Sequence, residues 1–185
     1  VAIDHYLQWV STYPLFSAAV QFAVLGTLGE LLSHWIKRKR LHLPCSPLQL
    51  AAKMLAWALL GLIIKYGFTG MKGFTQALLD HEMLPAFMAD GLGWAFALSC
   101  LTNIFFGPQM MLFHRLEDNL ILQDWNFAGL TRAWWTLIWF WIPAHTLTFL
   151  LPKGYQIGLA ALWSVALGLI LGLSSRRPSE SGAGV

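Results

Sequence analysis

Long stretches of this chain carry almost no charge, and short charged or proline-marked breaks separate them. A helix needs about 20 mostly apolar residues to cross a bilayer, because its backbone groups must be satisfied internally there. Residues 14–36 meet that length, open on Pro14 and stop at Lys37-Arg38-Lys39-Arg40. Residues 48–68 form a second stretch, after a loop marked by Pro44 and Pro47. Lys53 and Lys65 lie near its two ends, where each is expected to snorkel toward an interface. Residues 85–106, 132–151 and 155–173 supply three more stretches. The third ends or kinks at Gly107-Pro108, and the fourth carries Pro143 inside it. Lys153-Gly154 is expected to form the tight turn before the fifth. Residues 70–83 mix apolar and charged positions, which suits an interfacial helix or an extension of the second span.

Composition agrees with this pattern. Hydrophobic residues make up 57% of the chain and charged residues 11%. A soluble domain spends about 25% of its residues on charge to keep its surface wet. The fold class expected is therefore all-α: one polytopic transmembrane helix bundle of about five spans over residues 1–175. Residues 176–185, polar and rich in Gly and Ser, are expected to form a disordered tail.

Orientation follows from the basic residues. With the Lys37–Arg40 run on the cytoplasmic side, five spans put nine Lys and Arg there, and leave Lys65, Lys72 and Lys153 on the other. That bias predicts N-terminus out and C-terminus in. The net charge of +3 resides in loops and forms no basic face interleaved with aromatics, so nucleic acid is not an expected partner. Lipid is, and the ten tryptophans suit a bilayer interface.

Polar groups inside apolar stretches are the candidates for function, since burying one in lipid costs a few kcal/mol. Glu30 and His34 stand at i, i+4 in the first stretch and can hydrogen-bond along one helix face. Their position a few residues before Lys37 also suits a partly wet interface. Asp90 and Asn103 in the third stretch and His145 in the fourth complete a set that either lines a hydrophilic path or makes interhelical hydrogen bonds. Gln109, His114, Arg115, Glu117, Asp118 and Asn119 form a polar hub after Gly107-Pro108, suited to an anchor or a gate. In the last stretch Ala160, Ser164, Gly168 and Gly172 recur every four residues. Such a stripe lets two helices approach closely, within the bundle or between chains.

Enzyme signatures are not found. The chain has no G-x-S-x-G elbow, no H-E-x-x-H and no His/Cys spacing typical of metal sites. Cys45 and Cys100 share no C-x-x-C motif. His34 and His145 would be the histidines available to a haem, and two lone histidines make no haem motif. No cofactor, metal or catalytic residue is expected.

Tyr13-Pro14-Leu15, followed by Leu25-Gly26-Thr27-Leu28-Gly29-Glu30-Leu31-Leu32-Ser33, resembles the opening motif of the peroxisomal membrane protein two and Mpv-seventeen family. Trp141-Ile142-Pro143-Ala144-His145-Thr146-Leu147-Thr148-Phe149-Leu150-Leu151-Pro152 is similar to that family's later W-P-x-x-Q-x-x-N-F-x-x-V-P element, and Phe106-Gly107-Pro108 to its Gly-Pro element. The resemblance implies a small multi-span protein with a channel-like role for small hydrophilic solutes. It sets Glu30 at the family's acidic position and His145 at its glutamine. Departures are Glu for Asp, His34 or a neighbour for Gln, Thr148 for Asn, and Gln156 for an arginine. The lack of a presequence and the Gly-rich tail point to a bacterial inner membrane, with an organelle membrane as the alternative. The competing expectation is an accessory or scaffold subunit of a larger membrane complex. It draws on the small-residue stripe and on Trp134, Trp135, Trp139 and Trp141.

Overall fold

The computed structural model describes residues 1–174, with side chains through Leu169. The expected tail at 176–185 and the surroundings of Gly172 lie outside the described residues. No strand occurs among those described, and the architecture is all-α. Among the described residues eight α-helices follow in order: α1 (Ala2–Thr12), α2 (Pro14–Arg38), α3 (Pro47–Asp80), α4 (Gly91–Phe105), α5 (Gly107–Leu122), α6 (Leu130–Thr136), α7 (Ile142–Leu150) and α8 (Lys153–Ser174). By length and composition α2 and α3 can cross a bilayer, and a third crossing is available if α4 and α5, bent by 47°, count as one.

The breaks have local causes. Pro14 occupies the first turn of α2, where its missing N–H costs nothing. Ser46 caps α3 in a reciprocal box: its hydroxyl accepts from the Gln49 amide at 3.2 Å, and the Gln49 side chain accepts from the Ser46 amide at 3.0 Å. From there α3 runs unbroken to Asp80, so residues 70–80 extend the second stretch. At 34 residues it is about 51 Å long, against a hydrocarbon core of about 30 Å.

A π-helical turn, Leu137–Trp141, joins α6 to α7 just before Pro143. Such turns absorb the misfit around a proline. Ser99 Oγ on α4 reaches across and donates to the Ile142 carbonyl at 2.7 Å, so a neighbouring helix supports the distorted backbone. The break before α8 falls at Leu151-Pro152, and Lys153 and Gly154 already belong to the helix rather than to a tight turn.

Helix α1 folds back beside the starts of α2 and α8. The Tyr6 hydroxyl donates to Gln21 Oε1 at 2.9 Å, and the Tyr6 ring stacks on Tyr155. Burial raises the Tyr6 phenol above its ordinary value, which keeps the proton available for that bond.

Close contacts fix the helix directions. Going down α2, Ala18, Gly26 and Glu30 meet Gly61, Trp57 and Lys53 of α3, so the pair is antiparallel. Gly29 meets Ser164, and the Gly29 backbone also faces Gly168, whereas Gln21 meets Gly158, so α2 and α8 run parallel. Phe22, Leu60, Leu98, Ile157 and Ala161 are almost wholly buried and define the core between these helices and the α4–α7 layer.

Candidate functional site

Lys53 is the polar group least like its expected state. It does not snorkel to an interface; only 7% of it is exposed. Its Nζ donates to Glu30 Oε2 at 2.7 Å and to Asp118 Oδ1 at 2.5 Å. A buried ammonium survives only if paired and hydrogen-bonded, and here two carboxylates from two other helices supply that. Trp57, one turn along α3, donates its indole N–H to Glu30 Oε1 at 2.7 Å. His114, one turn before Asp118 on α5, places Nε2 3.5 Å from the same oxygen. Periodicity thus delivers the cluster in pairs: Lys53 with Trp57 at i, i+4, and His114 with Asp118 at i, i+4.

Glu30, His114 and Asp118 offer ligand atoms within 4.8 Å of one another, a spacing a metal ion would accept. The Lys53 ammonium already bridges the two carboxylates. The cation between them is the chain's own. No short-range spacing in the sequence announces this triad, because its members come from α2 and α5.

A cavity of about 290 Å³ opens beside the cluster, with Glu30, Trp57 and His114 on its wall. Asn103 and His145 line it too, with Thr102 and Trp141. Between them the wall is apolar: Phe22, Leu60, Phe68, Leu137 and Met110 all contribute. His145 is buried between aromatic rings, stacked on Trp141 at 5.0 Å and edge-on to Phe68 at 5.2 Å. Four residues of this wall each hold a buried polar atom without a partner: Thr102 Oγ1, His114 Nδ1, Trp141 Nε1 and His145 Nδ1. Asn103 Nδ2 donates to the Ser99 carbonyl at 2.9 Å. Buried polar groups are seldom left unpaired, and each such group calls for an explanation.

Of the five intramembrane candidates, Glu30, Asn103 and His145 converge on this cavity. Asp90 does not: it is exposed at the N-cap of α4, ahead of the helix rather than inside it. His34 does not either. It lines a separate crevice and pairs with His42, Nε2 to Nε2 at 3.4 Å, while Glu30 is engaged by Lys53, Trp57 and His114. Ala160, Ser164 and Gly168 also line the cavity, and Ser164 and Gly168 seat α8 against Gly29 of α2. Trp57 is the site residue that the sequence does not single out; Lys53 is expected at an interface, and His114 and Asp118 stand only as parts of a polar hub.

Comparison with known proteins found no matching family, no matching characterised sequence and no matching solved structure.

Proposed function

We propose that this chain crosses a bilayer five times, N-terminus out and C-terminus in, and passes small hydrophilic solutes through its central cavity. The observation that carries the proposal is convergence: Glu30, Asn103 and His145, far apart in sequence, line one cavity. The parallel course of α2 and α8 supports the span number, because parallel first and last spans require an odd total. The resemblance to the peroxisomal membrane protein two and Mpv-seventeen family supports the channel-like role and, with it, a bacterial inner membrane. The apolar wall narrows the solute class to small uncharged molecules, since a hydrated ion would gain too little from these surfaces to shed its water. The Lys53–Glu30–Asp118 cluster, which borders the cavity through Glu30, is assigned the role of gate in this proposal.

The test is a swelling assay on proteoliposomes with polyols of increasing size. Excess permeability to the smallest polyols with a sharp size cut-off is the expected result, together with altered permeability in Glu30→Gln. Protein that is folded and inserted yet adds no permeability would overturn the proposal.

An accessory subunit of a larger complex is the alternative. One of its supports is spent within the chain, since Ala160, Ser164 and Gly168 pack toward α2. The other holds for three of its four tryptophans: Trp134, Trp135 and Trp139 are exposed and suit lateral contact, whereas Trp141 lines the cavity. A stoichiometric partner after gentle extraction would favour it.

A further inference from the structure

The end of α2 builds a second, separate feature. Lys39 takes the left-handed conformation at the C-cap, with φ 52°, and turns the chain back on itself. Arg40 and His42 then return beside Arg38 and His34. The four surround a crevice of about 560 Å³, which Leu43 and Pro44 complete. Trp35 pins the returning segment by donating its indole N–H to the His42 carbonyl at 2.9 Å.

This crevice has a surplus of positive charge. Among the described residues no carboxylate lines it, and none pairs with Lys37, Arg38, Lys39 or Arg40. The C-terminal dipole of α2 is equivalent to about half a negative charge, far less than four cations. Exposed apolar side chains flank the same loop: Leu41 is 84% exposed and Leu48 81%. Cationic donors around a hollow, with leucines beside them at the end of an apolar helix, match a molecule that is anionic at one end and oily at the other.

We propose that this crevice binds the phosphate of an anionic phospholipid headgroup. Arg38 and Arg40 supply charge-assisted hydrogen bonds, the His34–His42 pair has one ring N–H left over to donate beside them, and Leu41 and Leu48 lie along the acyl region. The lipid is preferred to free phosphate because the leucines would otherwise face water.

The experiment uses the full chain in detergent, examined by native mass spectrometry with phosphatidylglycerol or phosphatidylcholine added. Wild type is expected to retain one phosphatidylglycerol and to discriminate against phosphatidylcholine. Arg38→Gln/Arg40→Gln should weaken retention by about tenfold or more. Lys37→Gln/Lys39→Gln removes the same charge from outside the crevice and should weaken retention clearly less than the arginine pair does. Equal weakening by both double variants, or equal retention of both lipids, would overturn the site. Displacement by millimolar inorganic phosphate would overturn the lipid assignment in favour of a soluble phosphate ligand. Unchanged helical circular dichroism confirms that each variant is folded.

Discussion

A Cβ placed on Gly29 would lie 2.6 Å from the Ser164 carbonyl oxygen. That oxygen belongs to backbone, so neither helix can yield by turning a side chain. Gly29→Ala must therefore push α2 and α8 apart, at a cost of about 1–3 kcal/mol typical of overpacking. Thermal unfolding in detergent should show the loss. Gly73→Ala is the control: no atom lies within 4 Å of its Cβ position, and it should be neutral or slightly stabilising.

Lys53→Met removes a cation and leaves the Glu30 and Asp118 carboxylates facing each other. Breaking a buried pair from one side costs about 3–5 kcal/mol, because the partner charge stays buried without compensation. The triple variant Lys53→Met/Glu30→Gln/Asp118→Asn should recover much of that loss. Chemical unfolding of the three proteins separates the outcomes. A triple variant no more stable than the single one would show that the stranded carboxylates carry no penalty.

Ser99→Ala deletes the bond to the Ile142 carbonyl and the longer one that Ser99 Oγ accepts from Asn103 Nδ2. A loss of about 1 kcal/mol is expected. Hydrogen exchange should locate it, with faster exchange confined to the π-helical turn and the start of α7.

Met110→Trp is expected to fill the cavity, since Met110 lines it and the flexible methionine it replaces leaves room for a ring. Polyol permeability should fall toward that of protein-free liposomes. A thermal midpoint close to wild type would tie the fall to the cavity rather than to unfolding.

Much of the fold is legible in the sequence because length and apolarity specify a spanning helix without reference to a partner. Pro14, the Lys37–Arg40 stop and the Pro44 and Pro47 loop mark the same boundaries in both descriptions. The continuation of α3 to Asp80 was open, since Gln76, Asp80 and Lys72 suit a wet helix as well as an interfacial one. Asp90 was misplaced because the 3-10 turn Ala86–Met88 and its loop are as apolar as the helix that follows. Lys53 was misread for a different reason. Its snorkelling was inferred from its own helix, whereas its burial is decided by Asp118, 65 residues away. Long-range pairing of that kind leaves no periodic trace. The same holds for His114, whose role is visible only once α5 lies against α2 and α3.

The order in which Lys53 acquires its partners bears on biosynthesis. Glu30 and Lys53 sit on consecutive antiparallel helices joined by a short loop, so they emerge from the ribosome within 23 residues of each other. The two helices can enter a bilayer as a hairpin with one charge already neutralising the other. Asp118 joins only after α4 and α5 have been made, and its arrival turns a neutral pair into a site of net negative charge. On the proposed topology Lys53 would enter the bilayer already paired, and truncations ending between α3 and α5 should insert as efficiently as the full chain.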